Sequence, residues 1–250
     1  MSDKQNIHWL YKKLGETPNE CIARYKKENP LYENEPMTYA GRLDPMAEGL
    51  LLVLSGPELN EKDDYLELQK SYTFEILWGF LTDTQDILGL VVDEADNVPT
   101  EELLIECLQK YLGRFEQLYP AYSSRPVMGK PLFEWAREGG LNAIQIPTHE
   151  VEAYSSEFVA RRLVPKEVVL EQILTKVDMV QGDFRQEAIK NKWKEIMANN
   201  QLDDFVIDTV NITVSSGFYV RQFVTDLAAA FQSKACVFHI KRTAIGDHSI

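Results

Sequence analysis

Residues 50–54 read Leu-Leu-Leu-Val-Leu, a continuous apolar run that fits a buried β-strand. Directly before it stands Tyr39-Ala-Gly41-Arg42-Leu-Asp44-Pro-Met-Ala-Glu-Gly49, which sets one aspartate in a turn between two glycines. Together these stretches predict a tight loop carrying a carboxylate and anchored to a strand of the core. A sheet fixes such a group in position while the loop exposes it, which suits work on a bound substrate. An Asp before Pro is also an ordinary turn former, so the loop by itself leaves both roles open.

The remaining periodicities set the fold class. Residues 7–14 read as a first strand, and residues 19–27 as a short helix entered at Thr17-Pro18. Residues 70–78 alternate, with Tyr72, Phe74, Ile76 and Trp78 on one face and Ser71, Thr73 and Glu75 on the other. A polar turn, Thr82-Asp-Thr-Gln-Asp86, leads to a second strand over 88–93. Pro99-Thr100 caps a helix ending near Gly113, and the Pro-, Tyr- and Ser-rich stretch 117–131 reads as a loop. A short helix over 131–138 stops at Gly139-Gly140.

In the second half a strand is expected over 150–159, then two helices. Val169, Leu170, Ile173 and Val177 stripe the first, over 166–177, and Ile189, Trp193, Ile196 and Met197 the second, over 183–197. A strand over 204–214, a helix over 219–231 and a strand over 235–242 complete the series. Strands and helices interleave without a regular βαβ rhythm. The fold class is therefore α+β, with a mixed, mostly antiparallel sheet flanked by helices and loops.

At 250 residues the chain can bury a sizeable core, and a single domain over 1–250 is expected. Its net charge of −13 repels polyanions at long range and argues against nucleic-acid binding by charge alone. Basic residues nonetheless gather at 24–27, 125–137, 161–162 and 234–242. No apolar run is long enough for a transmembrane helix, and the polar start Met-Ser-Asp-Lys-Gln-Asn lacks a signal-peptide core. Cys21, Cys107 and Cys236 show no paired spacing, which fits neither a zinc site nor a disulfide framework but a reducing cytoplasm.

Five ordered blocks resemble the TruB-type pseudouridine synthases, which modify the T arm of tRNA. Leu10-Tyr-Lys12-Lys-Leu-Gly15 resembles the family's Lys-Pro-x-Gly opening, and Arg42-Leu-Asp44-Pro-Met-Ala-Glu-Gly49 its catalytic loop. Lys70-Ser-Tyr72, with the Thr82–Asp86 turn, is similar to its Lys-x-Tyr strand and Thr-Asp-Thr-x-Asp turn. Pro120-Ala-Tyr-Ser-Ser and Gly129-Lys130 resemble its Tyr-Ser-Ala and Gly-Lys segment. Ser216-Gly-Phe-Tyr219-Val-Arg221, through Asp226-Leu227 to Lys241-Arg242-Thr243, resembles its closing Gly-Thr-Tyr-x-Arg block.

The resemblance implies isomerisation of a T-loop uridine, position 55 of tRNA, to pseudouridine by base flipping. It assigns the catalytic carboxylate to Asp44, a guanidinium partner to Arg221 and the ring against the base to Tyr72. Substrate or RNA contacts fall to Tyr39, Arg42, Asp86, Lys130, Ile240 and Arg242, with Lys130 foremost. It also implies a monomer that needs no metal and no cofactor, with the tRNA T stem-loop as its partner. Three features depart from the family pattern. Tyr39 stands where the family usually has His, and Arg42 where it has a small residue. The Arg-Leu-Asp core is more typical of synthases that modify ribosomal RNA. The third departure is a chain expected to lack the family's C-terminal PUA domain and to carry a helical insertion at about 163–202. The alternatives are the same reaction on another RNA, such as rRNA, or an RNA-binding or RNA-folding protein on the same scaffold without turnover.

Overall fold

Strand β1 (Ile7–Lys12) runs into helix α1 (Pro18–Glu28), whose start is a full capping box. There the Thr17 hydroxyl accepts from the Glu20 amide and the Glu20 carboxylate accepts from the Thr17 amide. Next come β2 (Met37–Ala40), β3 (Ala47–Ser55), α2 (Lys62–Leu66), β4 (Lys70–Trp78), β5 (Phe80–Thr82) and β6 (Val91–Glu94). They are followed by α3 (Glu101–Lys110), β7 (Gly113–Leu118), β8 (Pro126–Val127), β9 (Lys130–Pro131) and α4 (Leu132–Arg137). The chain continues through β10 (Thr148–Pro165), α5 (Lys166–Asp178), α6 (Gln186–Asn199), β11 (Asp204–Val214), α7 (Val220–Ala230), β12 (Ala235–Ile245) and β13 (His248–Ser249). This computed structural model describes residues 5–250.

Among the described residues nine strands share one sheet, in the order β1-β3-β12-β4-β11-β10-β7, with β2 beside β3 and β13 beside β12. The β3–β12 pair is parallel and the other pairs are antiparallel, as expected of a mixed, mostly antiparallel sheet. Both faces are covered. On the front, Phe74, Ile76 and Trp78 with Val210, Ile212 and Val214 pack against α3 and α7 through Leu104, Leu108, Phe223, Val224 and Leu227. On the back, Leu77, Ile207, Cys236 and Phe238 meet Val169, Ile173 and Val177 of α5 and Ile189, Trp193 and Met197 of α6. Each such side chain stabilises the fold by roughly 1.5–3 kcal/mol on burial. The Trp193 indole also donates to Ile87 O at 3.2 Å and meets Phe80 edge-on at 5.2 Å.

Strands β10 and β11 are antiparallel neighbours that a tight hairpin could join. Instead α5 and α6 stand between them in the chain and pack on the back face of the sheet.

Several boundaries differ from the sequence reading. Tyr39 and Ala40 are not in the loop but in β2, paired with Val53 and Leu52. The stretch 113–118 is a strand: α3 ends at Lys110, Gly113 at φ 88° redirects the chain, and Phe115 and Gln117 then point inward. The expected loop 117–131 holds a small hairpin, β8–β9, turned by Met128 and Gly129 at positive φ. Of the expected strand 88–93 only 91–93 is extended, continuing to Glu94, because Asp86 turns the chain before it. β10 runs to Pro165 instead of stopping near 159. Its charged second half escapes the alternation test because its charges pair across the sheet, Arg161 with Asp208 and Arg162 with Glu75, each at 2.7 Å.

Candidate active site

The loop 41–46 is held by buried cations that bond to its backbone. The Lys12 ammonium donates to Ala47 O at 2.5 Å and Lys13 O at 3.1 Å, and the Gly15 amide donates to Pro45 O at 2.9 Å. Burial pulls the Lys12 pKa down to about 8, against the opposing pull of the Asp44 charge. From the neighbouring strand, Arg242 donates to Leu50 O at 2.7 Å, Arg42 O at 3.3 Å and Gly41 O at 3.2 Å. The strands approach so closely that a Cβ on Gly49, at φ 110°, would lie 2.3 Å from Arg242 O. Only glycine fits there.

Arg221 reaches this loop from the first turn of α7. The Gln117 side chain fixes that turn by accepting from the Tyr219 amide at 2.8 Å and donating to Tyr219 O at 3.1 Å. Arg221 is 4% exposed and Asp44 32%, and two guanidinium nitrogens lie 2.8 Å from Asp44 Oδ2. The remaining donors reach Thr84 O at 2.7 Å and Tyr122 O at 3.3 Å. Burial lowers the pKa of Arg221, but the Asp44 and Asp86 carboxylates outweigh it and the net shift is upward. The site thus presents a half-exposed carboxylate on a buried, fully hydrogen-bonded guanidinium.

Asp86 stands behind this pair, its Oδ2 3.8 Å from Arg221 Nε, and its Oδ1 accepts from the Thr84 hydroxyl at 2.8 Å and the Leu88 amide at 2.9 Å. Burial, opposed by Arg221 and reinforced by the Asp44 charge, pushes its pKa up to about 6 from the ordinary 3.8. The folded state therefore holds this proton more tightly than the unfolded chain. The stabilisation is complete below pH 3.8 and lost as pH rises through 6. D86N keeps an acceptor for Thr84 and Leu88 without the titration. Urea unfolding is expected to show wild type losing up to about 3 kcal/mol relative to D86N between pH 4 and 7. Parallel pH profiles for the two proteins would refute this.

Asp44 opens into a cavity of about 530 Å³ whose lining includes Tyr72, Phe218, Tyr219, Ile240 and Arg42. Tyr72 is half-buried on β4, Ile240 is a buried apolar wall, and Arg42 is exposed at the rim. Aromatic and apolar walls around one charged pair suit a planar ring with a polar edge. The structure therefore brings together Asp44, Tyr72, Arg221, Arg42, Asp86 and Ile240.

The other three expected contacts are engaged with protein groups. Arg242 lines the cavity base but is 1% exposed, and its guanidinium is taken up by the three carbonyls, so it serves the loop and is not turned to a phosphate. Tyr39 belongs to β2, so strand alternation turns its ring to the α1 side with Cys21, Leu51 and Val53, under the Lys62 ammonium at 5.7 Å. Lys130 sits on the β8–β9 hairpin, paired with Glu138 and 4.3 Å over the Trp135 ring, outside the cavity lining. Tyr219, Tyr122, Phe184 and Arg185 line the cavity without having been singled out. Tyr219 and Tyr122 stand inside quoted motifs that could have flagged them. Phe184 and Arg185 carry no such signal.

The fold is that of Cbf5. A crystal structure of a Cbf5–Nop10–Gar1 complex superposes with a TM-score of 0.59 at 16% identity, over 98% of this chain and 50% of that one. Residues 30–187 match the N-terminal domain model of the TruB family pseudouridylate synthases. The chain belongs to the TruB family. Its relatives include tRNA pseudouridine synthase 4 of Schizosaccharomyces pombe, 26% identical over 93% of this chain and 70% of that protein. They also include tRNA pseudouridine synthase B of Oceanobacillus iheyensis, 26% identical over 96% of this chain and 65% of that protein. The same enzyme of Caldanaerobacter subterraneus is 36% identical over 60% of this chain and 51% of that protein. The chain thus spans between about half and about two thirds of the length of these relatives.

Proposed function

We propose that this protein isomerises a T-loop uridine of tRNA, at position 55, to pseudouridine. The Asp44–Arg221 pair at the mouth of an aromatic cavity is the observation that carries this reading. Pseudouridylation breaks the bond from N1 of uracil to C1′ of ribose, turns the base, and joins C5 to C1′. The proton on C5 is released and N1 gains one, so no atom or electron enters from outside and no metal or cofactor is needed. A base can reach Asp44 only by leaving its stack, and the half-buried Tyr72 ring supplies a stacking partner for it. Asp44 then meets the nucleoside as a carboxylate held by charge and geometry on Arg221.

The tRNA substrate is supported by the relatives, which are tRNA pseudouridine synthases. We read the enzyme as a monomer working in the cytoplasm. Its three buried free thiols support a reducing compartment, and no described helix is long and apolar enough to cross a membrane. Tritium release from T-arm hairpin RNA labelled at uridine C5 tests the reading, since C5 loses its hydrogen only when it becomes the glycosidic carbon. Release at one equivalent per target uridine is expected. A ribosomal RNA fragment serves as competitor because of the Arg42-Leu-Asp44 core. Release from the ribosomal fragment alone would overturn the substrate, and salt-sensitive binding without any release would favour a folding or binding protein.

A further inference from the structure

Helices α5 and α6 reach the active cavity as well as the back of the sheet. The turn between them, residues 179–185, brings Phe184 and Arg185 into the cavity lining. Gln186 braces that turn, donating to Val180 O at 3.0 Å and Gly182 O at 2.8 Å while accepting from the Phe184 amide at 2.9 Å. Arg185 has φ 63°, a left-handed conformation uncommon for a residue other than glycine. From there its guanidinium forks onto Asp83, Nη1 to Oδ2 at 2.7 Å and Nη2 to Oδ1 at 3.3 Å. Its Cζ lies 5.0 Å from the centre of the Tyr122 ring, and the Tyr122 hydroxyl donates to the same Asp83 Oδ2 at 3.2 Å. A bidentate arginine placed over an aromatic ring holds position far better than an isolated surface ion pair.

The two residues it grips adjoin the groups that seat Arg221. The Thr84 carbonyl, one residue beyond Asp83, accepts from Arg221 Nη1, and the Tyr122 carbonyl accepts from Nη2. We propose that Arg185 is a positioning residue for pseudouridylation, by which the inserted helical pair locks Asp83 and Tyr122 and so the two carbonyls that orient Arg221 on Asp44. This rests on the proposed function. It gives the insertion a task in the reaction that differs from RNA contact.

The test compares wild type, R185A and R185K by tritium release from the T-arm hairpin. It also follows hydrogen–deuterium exchange of segments 82–90 and 119–124 in the free protein. For both variants kcat is expected to fall by about tenfold to a hundredfold, as for small misplacements of catalytic groups, with KM within about threefold. Lysine should not rescue, because it lacks both the fork and the plane. Exchange should speed up in both segments while α5 and α6 keep their protection. Three results would overturn the proposal: a raised KM with kcat intact, rescue by lysine, or unchanged exchange in the two segments. The first two would mark Arg185 as a phosphate contact. Loss of protection throughout α5 and α6 would overturn it too, by making Arg185 a general stabiliser. A wild type without turnover would sink the functional reading alone, and the exchange measurements would still decide the role of Arg185.

Discussion

D44N should abolish tritium release from T-arm RNA, lowering turnover by on the order of 10⁴-fold or more while the protein stays folded. The amide matches the carboxylate in shape, and its oxygen can still accept from Arg221, which now lies 2.8 Å from Asp44 Oδ2. What it lacks is the charge and nucleophilicity that the reaction draws on. Binding of the hairpin should persist, because the walls formed by Tyr72, Phe218 and Ile240 are untouched. Filter binding at fixed salt, run beside the release assay, separates the two effects. Turnover within tenfold of wild type would remove Asp44 from the chemistry.

R221L should lower the unfolding free energy by about 3–5 kcal/mol and eliminate turnover as well. The guanidinium is 4% exposed and lies against Asp44 and Asp86. Removing it strands two carboxylates near each other and leaves the Thr84 and Tyr122 carbonyls without their donor. Asp86 loses the largest influence that holds its pKa down, so its value moves above about 6. The penalty should therefore be greater at pH 8 than at pH 5, where a protonated Asp86 relieves the repulsion. Urea titrations at the two pH values check this. A loss under 1 kcal/mol at both would mean that the pair is far better solvated than its burial indicates.

The sheet was legible where side chains alternate between a buried face and a polar one. Residues 70–78 and 204–214 match the observed strands end to end. The reading failed where long-range pairing overrides local pattern. Charges along β10 look like a surface segment until Arg161 and Arg162 are seen to pair with Asp208 and Glu75 on other strands. The same limit holds at the site. Asp44, Tyr72 and Arg221 could be named from motifs, but no local pattern tells a cation that meets carbonyls from one that meets phosphate. Lys12 and Arg242 are of the first kind. Tyr39 was misplaced because β2 extends through Ala40 and takes in the first two residues of the expected loop. Arg185 acts through Asp83, 102 positions away in the chain. Proximity of that sort is a product of the tertiary fold.

β12 follows β11 and α7 in the chain, yet it occupies the middle of the sheet, between β3 and β4. A nascent chain that has reached α6 holds Asp44 but neither Arg221 nor the strand whose Arg242 clamps the loop. β12 is the strand that joins β3 to β4, and without it each would have an unpaired edge. The loop of Asp44 therefore gains its partners Arg221 and Arg242 only from the segments that follow β11.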